Sequence, residues 1–600
     1  IDWHLFLESG ADWSGRFFLD RVKPSQVTRV GSRRYGIKRV VLTKGRLPLG
    51  YHRLCVRWNG RKAEVLVISA PLKGYPLLGM PDRKSWGIFT PLYAIPSHRN
   101  WGAGDLTDLK ELIDWAADLG AEVVMTLPLF ALFLEKPFEP SPYAPISRLF
   151  LSEFWIDPTR LPEWSQSPKA QTYANSKRVL QRLHLWRESG WVDYQAQLRC
   201  KRHILRLLAE TFYRLKEDRR QAFQDFLNAH PEAVHFARFR ANKERVGPSS
   251  IDWRTHLYAQ WAIHEQLRDV VLHARRRGIV LALDLPLGVH PEGYDVWRWK
   301  DLFPSQIALG APPDTFFTEG QDWGFPPIDP DRLREDGYRY WRDVLSHSMR
   351  MAGLIRIDHV MAFHRLFWIP HGFLARQGVY RTYPSEEWYA VLTLESHRNR
   401  CAVVGENLGT VPSQVHRALK RHGLMGMFVL QYEVRPDPES PLTKPHRDVV
   451  ASFNTHDMPP FHAFLTGRDI HWRRKMQLLD ASEALAEYGQ RQRIRGALEC
   501  WLKKQGEWTD GLDSDQGIWI GCWRWLAKSS ARLVQLSLED LLGETEPQNI
   551  PGTGLERPNW RRKWRCRWEE VRQDLGIRRM LDEVNRLRCQ KKDCSSLKKT

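Results

Sequence analysis

Three short apolar runs each end on a carboxylate, and they follow one another at intervals of about fifty residues. They read Leu354-Ile355-Arg356-Ile357-Asp358-His359, then Ala402-Val403-Val404-Gly405-Glu406-Asn407, then Ser452-Phe453-Asn454-Thr455-His456-Asp457. Short β-branched or aromatic runs closed by polar residues are what buried parallel strands require. In a βα barrel the C-terminal ends of the strands meet in one bowl, so acids remote in sequence can face one ligand. Two carboxylates flanking a scissile bond are the equipment of glycoside chemistry.

Each acid also has a plainer reading. Arg356 and Asp358 stand two apart on a strand and so share a side; a guanidinium there would lower the carboxyl pKa and hold it ionised, as a nucleophile must be. The alternative is a structural ion pair. Glu406 has no adjacent cation, and partial burial would raise its pKa and suit a general acid; it could equally be an ordinary strand-end glutamate. Asp457 and His456 could bracket sugar hydroxyls, or form a turn or a cap. The conjunction favours chemistry, because the acids fall on consecutive strand ends of one expected barrel. Asp284, closing the apolar run 279–285, adds a fourth. Among 27 Trp, indole faces able to stack on pyranose rings are sought in loops at the barrel mouth. Trp101, Tyr143 and Trp323 are the aromatic candidates, each also readable as packing.

These acids need strands to hold them, and the chain supplies the pattern. Residues 1–75 read as β, with short runs at Phe17-Phe18-Leu19, 38–42, 52–56 and 63–68 between Gly, Pro and charged residues. A Pro- and Gly-rich linker follows at 71–81. The pattern then becomes strand–helix alternation. Strands are expected at 87–95 and 123–127, then at 279–285, at the three opening runs, at 425–432 and at 533–538, the last closing the ring. A loop at 130–154 leads into an Arg-rich helical stretch at about 155–265, read as an insertion over the barrel mouth. The expected architecture is α/β: a (β/α)8 TIM barrel with helical insertions at 76–585, preceded by a small β-sandwich-like domain at 1–75. A basic, disordered tail is expected at 586–600.

Bulk properties exclude several classes. No stretch of eighteen apolar residues occurs, so no transmembrane helix is expected. The chain opens on Ile1-Asp2-Trp3-His4, with neither Met nor a signal-peptide profile. It is read as a fragment or a processed chain, and a leader before Ile1 stays open. Eight cysteines without a CxxC pair or paired spacing suit a reducing, cytoplasmic setting rather than a zinc site or disulfide framework. The net charge of +20 is spread over many short clusters without a nucleic-acid motif, so it reads as a solvated basic face. No P-loop and no GxGxxG after a strand occurs, and no cofactor or metal is expected.

Motifs in order along residues 85–560 carry a resemblance. They are Tyr93-Ala94-Ile95-Pro96-Ser97-His98-Arg99-Asn100-Trp101-Gly102, Ser141-Pro142-Tyr143, Gly310-Ala311-Pro312-Pro313-Asp314 and Gly320-Gln321-Asp322-Trp323-Gly324. Further on stand Arg356-Ile357-Asp358-His359-Val360-Met361, Gly405-Glu406-Asn407-Leu408-Gly409-Thr410-Val411-Pro412, Thr455-His456-Asp457, Glu539-Asp540-Leu541-Leu542-Gly543 and Pro547-Gln548-Asn549-Ile550-Pro551-Gly552-Thr553. The chain resembles the 4-α-glucanotransferases of the amylomaltase, or disproportionating enzyme, family within the α-amylase barrel group. The β segment resembles the extra N-terminal domain of some bacterial members. The resemblance implies Asp358 as nucleophile, Glu406 as acid/base and Asp457 as the carboxylate that holds and distorts the sugar at the cleavage point. It places Asp284, Arg356, His359 and His456 around that sugar, and Tyr143 and Trp323 along the glucan cleft. It implies maltooligosaccharides, starch or glycogen-type glucans as substrates and glucose as an acceptor. Asn407 stands where an acid is common, and Met458-Pro459-Pro460 departs from the family pattern. An α-1,4-glucan hydrolase of the same barrel group and a catalytically idle glucan-binding protein are the competing readings.

Overall fold

The computed structural model describes residues 1–43, 45–80, 83–214, 219–244, 251–313, 319–554 and 556–588. Asp314, Cys589, Cys594 and most of the expected basic tail lie outside the described residues.

The N-terminal segment holds β1 (Asp2–Phe6), β2 (Asp12–Arg16), β3 (Gln26–Val30), β4 (Arg33–Ile37), β5 (Gly50–Trp58) and β6 (Arg61–Ser69). Four of them form an antiparallel sheet in the order β2-β1-β5-β6, while β3 and β4 pair as a separate hairpin. The β5–β6 hairpin turns on Asn59 and Gly60, both at positive φ (45° and 75°), the conformation for which an Asn-Gly pair is favoured. Two expected strands do not form. Residues 17–19 run into a 3-10 turn at Leu19–Arg21, and 38–42 are irregular. Phe18 is 54% and Val41 83% exposed, so neither run has a face to bury, and β propensity without burial does not make a strand. The segment docks on the rest of the chain through Tyr51, whose hydroxyl donates to Glu395 Oε1 at 2.8 Å. The Arg342 guanidinium lies 3.6 Å from the centre of the Tyr51 ring.

Beyond it come β7 (Ser85–Phe89), β8 (Val123–Met125), β9 (Val280–Leu285), β10 (Ile307–Ala311), β11 (Gln321–Asp322), β12 (Leu354–Ile357), β13 (Arg365–Pro370), β14 (Val379–Thr382), β15 (Ala402–Gly405), β16 (Gly426–Val429), β17 (Val449–Ser452) and β18 (Leu533–Ser537). Eight of these stand side by side in the order β15-β12-β9-β8-β7-β18-β17-β16. A parallel bridge between Val404 and Met425, with Gly405 N donating to Met425 O at 2.8 Å, joins the two end strands. The ring is a (β/α)8 barrel. The strand expected at 533–538 closes it by pairing in parallel with β7. The first strand stops at Phe89 instead of residue 95, because Pro91 opens a 3-10 turn over Leu92–Ala94.

Helix α1 (Leu106–Asp118) starts at a capping box in which Asp105 accepts from the Asp108 amide and Asp108 from the Asp105 amide. Its apolar positions Leu109, Leu112, Ile113 and Ala116 are buried, a spacing that gives one face to the ring. Between β8 and β9 lie α2 (Pro168–Ala174), α3 (Lys177–Glu188), α4 (Tyr194–Arg214), α5 (Arg220–Ala229), α6 (Ala233–Lys243) and α7 (Trp253–Arg276). Helix α7 packs on α1 and β9, and α4 and α6 pack on α7, so this stretch flanks the ring. The loop at 130–154 is the part that carries a side chain, Tyr143, to the mouth. The segments following β9 and β12 pair as a second antiparallel sheet, β11-β10-β13-β14. No described helix is long and apolar enough to cross a membrane.

Close approach of β7 and β8 requires glycine at position 87, where a Cβ would lie 2.5 Å from Val123 O. Gly87→Ala is expected to lower stability by about 1–3 kcal/mol, read as a lower urea midpoint; an unchanged midpoint would contradict this packing.

Candidate active site

The site begins with register. Arg356 on β12 pairs with Asp284 on β9 and with Val404 on β15. Arg356 Nη1 donates to both Asp284 oxygens, at 2.9 and 2.7 Å, and to Asp358 Oδ1 at 3.1 Å. Its Nε reaches Met427 Sδ on β16 at 3.5 Å. A buried guanidinium thus ties two carboxylates on adjacent strand ends. The Asp358 backbone continues the ladder, its N–H donating to Leu285 O at 3.1 Å, and Asp358 Oδ2 accepts from Leu287 N at 3.4 Å.

Glu406 leaves β15 beside Asp358, with its own N–H on Ile357 O at 2.9 Å. The side chain is buried and aimed by two backbone donors, His359 N to Oε2 at 2.9 Å and Leu408 N to Oε1 at 2.6 Å. His359 adopts a left-handed backbone (φ 48°), a strained state for a residue with a side chain, and this turn presents its amide to Glu406. The Trp323 ring stands edge-on to His359 with centroids 5.3 Å apart. Trp323 follows β11, and its indole N–H donates to Gln321 Oε1 at 3.0 Å.

On the other side, the Tyr143 hydroxyl donates to Asp284 Oδ2 at 2.6 Å and lies 3.2 Å from His456 Nδ1. The two rings stack at 4.6 Å, and Trp560 backs both at 5.7 Å. His456 Nε2 lies 3.2 Å from Asp457 Oδ2, while Asn549 Nδ2 donates to Asp457 Oδ1 at 2.7 Å. Asp457 remains open to solvent at the mouth.

Nine of the ten side chains singled out from sequence fall into this one set. It runs Trp323, His359, Glu406, Asp358, Arg356, Asp284, Tyr143, His456, Asp457. Trp101 is not part of it; it is 4% exposed and packs in the core. Asn549, Trp560 and Met427 belong to the set but were not singled out. Asn549 and Trp560 come from a loop beyond the last barrel strand and carry no titratable group or periodicity to mark them.

Charge in the bowl differs from expectation. Arg356 was expected to hold Asp358 low. Burial instead pushes the Asp358 carboxyl up to about 7, and repulsion from Asp284 and Glu406 adds to it, against the opposing pull of Arg356 and His456. Arg356 also bonds both oxygens of Asp284, and its pull on Asp358 is outweighed by burial. Although 43% of the Asp457 side chain is exposed, crowding by the bowl opposes its charge; His456 and Asn549 outweigh this and leave the carboxyl below its ordinary value. Because the folded state binds the Asp358 proton more tightly than the unfolded chain does, this group costs stability as pH rises from about 4 towards 7.

The closed parallel ring with an acid set at its strand ends marks the class of (β/α)8-barrel enzymes that work on glycosidic bonds. Comparison with known proteins narrows this. The family model described as 4-alpha-glucanotransferase, glycoside hydrolase family 77, matches residues 90–256 and 249–568. The MalQ N-terminal beta sandwich domain matches residues 1–71. The chain belongs to the 4-alpha-glucanotransferase family. It is 35% identical over 563 residues to the 4-alpha-glucanotransferase of Mycobacterium tuberculosis (strain ATCC 25618 / H37Rv), covering 86% of this chain and 76% of that one. With the Haemophilus influenzae 4-alpha-glucanotransferase the identity is 30% over 571 residues, 87% of this chain and 81% of the relative. The amylomaltase of Corynebacterium glutamicum superposes with a TM-score of 0.84 at 27% identity, covering 97% of this chain and 86% of that structure. An amylomaltase from Streptococcus agalactiae, solved in complex with acarbose, shares the fold with a TM-score of 0.69 at 20% identity, over 84% and 99% of the two chains.

Asp284→Asn removes one repelling charge and frees Arg356 for Asp358, so both changes lower the Asp358 pKa. The acid limb of kcat/KM on maltotriose is expected to move to lower pH by about one unit. A limb that stays in place or moves to higher pH would show that Asp284 does not set the charge of Asp358.

Proposed function

We propose that the bowl performs α-1,4-glucan transfer by double displacement, with Asp358 as nucleophile and Glu406 as acid/base. The observation that carries this division of labour is the placement of Asp358 and Glu406 on the adjacent ends of β12 and β15, with Asp358 bonded to Arg356 and Glu406 aimed by the His359 and Leu408 amides. Glu406 protonates the leaving glycosidic oxygen while Asp358 attacks the anomeric carbon, giving a β-linked glycosyl-enzyme. Positive charge developing at the anomeric carbon favours the ionised form of Asp358 and leaves the proton with Glu406. The 4-hydroxyl of a second glucan, or of glucose, then gives its proton to Glu406 and displaces Asp358, so an α-1,4 bond is broken and another formed with net retention. Retention of this kind places the two carboxyls about 5–5.5 Å apart.

The remaining residues grip the sugar. Asp457, steadied by His456 and Asn549, offers carboxylate oxygens to hydroxyls of the ring at the cleavage point. Asp284, Arg356 and His359 surround it. Tyr143 stacked on His456 forms one apolar wall and Trp323 the other. Transfer requires that water be excluded after the first step, and the loops carrying Tyr143 and Trp323 are placed to do this. The N-terminal sheet, residues 1–75, is a separate unit attached through Tyr51. The setting we propose is the reducing cytoplasm: Cys55, Cys200, Cys401, Cys500, Cys522 and Cys566 are all free thiols.

Incubation with maltotriose is expected to give glucose together with a ladder of longer maltooligosaccharides. Glucose and maltose alone would point to hydrolysis, and no product at all to a binding protein. Asp358→Asn is expected to lower the rate of ladder formation by about 10³-fold or more with the circular dichroism spectrum unchanged; undiminished transfer in that variant would remove Asp358 from the chemistry.

A further inference from the structure

Away from the bowl, three histidines from three helices meet on the outer layer of the barrel. His230 caps the C-terminal end of α5, His264 lies in α7, and His347 lies in the helix Arg339–Arg350, which leads into β12. One nitrogen from each ring can be chosen so that all three lie within 4.8 Å of one another. The ring centroids are 4.6, 5.5 and 6.0 Å apart. We propose that His230, His264 and His347 form a binding site for a zinc-type divalent cation.

A cluster of core histidines is the bland alternative, and hydrogen bonding argues against it. His264 Nε2 and His347 Nε2 are both buried without a hydrogen-bond partner among the described residues. Native interiors rarely leave such atoms unpaired, because each costs its desolvation without return. Both atoms belong to one cluster, and a cation would use both lone pairs. His264 shows the supporting shell as well. Its Nδ1 lies 2.6 Å from the backbone oxygen of Gln260, so Nδ1–H donates there and Nε2 is left as the ligand atom. This carbonyl–imidazole arrangement fixes the tautomer in metal sites. Imidazole donors select zinc and its neighbours among first-row metals over calcium or magnesium, which take oxygen.

The geometry is close to closing. Tetrahedral zinc with bonds of about 2.0–2.1 Å sets its ligand nitrogens about 3.3 Å apart, so the widest approach must tighten by about 1.5 Å. His230 can supply this. It is half-exposed at the C-cap of α5 (φ −130°, ψ 68°) with its N–H on Phe226 O at 2.9 Å, so the movement falls to its side chain. The three rings border a groove of ≈ 570 Å³, room for a water in the fourth position. Asp225 and Glu265 on the groove wall offset part of the charge of Arg268, Arg275 and Arg350, which opposes a cation. Bound there, the ion would pin α5 to α7 and to the helix that feeds β12, the strand bearing Arg356. Its effect is mechanical, on stability rather than on the sugar chemistry.

The test uses the whole chain, stripped with EDTA and then titrated with Zn²⁺, with bound metal counted after gel filtration. Expected are one equivalent of zinc, a higher thermal midpoint with zinc than without, and, with Co²⁺ as probe, the visible absorption of a four-coordinate nitrogen site. His264→Gln and His230→Ala should each weaken binding by about tenfold or more, and His230→Cys should keep it. Should His264→Gln fail to fold, His230→Ala at the half-exposed helix end decides alone. Less than one equivalent bound, or binding and midpoint untouched by His230→Ala, overturns the proposal.

Discussion

The guanidinium of Arg356 is buried at the rim of β12, between β9 and β15 and with Met427 of β16 at its Nε, and the acids of the bowl are arranged around it. An unpaired cation at such depth would cost several kcal/mol. Strand register solves this by placing Asp284 directly across from it, and the position two residues on adds Asp358. Two anions on one cation, with Glu406 close by, leave the cluster short of positive charge. Burial and this repulsion together raise the Asp358 carboxyl to about 7. The double displacement we propose needs one carboxylate charged and one protonated at the moment of attack.

Rigid placement follows from the same strands. Asp358 and Glu406 each continue the hydrogen-bond ladder of the barrel for one residue past the strand end. The left-handed turn at His359 then aims Glu406 through a backbone amide. The more open elements of the site, Asp457 and Trp323, sit on loops instead. That division suits an enzyme whose reacting carboxylates must not move while a long glucan enters, leaves and is replaced by an acceptor.

The sequence made most barrel strands legible because they are buried on both faces: Ala402–Gly405 is an unbroken apolar run and Leu354–Ile357 is interrupted only by Arg356, each ending on an acid, whereas the run expected as a strand at 452–457 begins where β17 ends and leaves Asp457 on the following loop. The N-terminal strands were harder. β3 and β4 are exposed at every position and carry no burial signal, whereas the apolar run at 38–42 carries the signal and forms no strand. The sheet of β10, β11, β13 and β14 escaped notice because it is made from connections of the barrel, in strands too short to show a period. Spacing along one strand put Arg356 beside Asp358. It could not give the burial of Asp358 or the partner across the ladder, and burial, with Asp284 adding to it, is what raises the Asp358 carboxyl against expectation. Trp101 looked like a loop aromatic and is core. Asn549 and the three outer histidines become visible only when segments distant in sequence are brought together.

The most direct measurement is to trap the glycosyl-enzyme. In Glu406→Gln, an α-glycosyl fluoride can still load the enzyme, because fluoride departs without a proton from the acid, while release of the sugar still requires the missing base. Peptide mass spectrometry is expected to find one glycosyl unit esterified to Asp358. A glycosyl unit on Asp284 or Asp457, or fluoride turnover with no adduct at any of these acids, would contradict the assignment of the reacting pair.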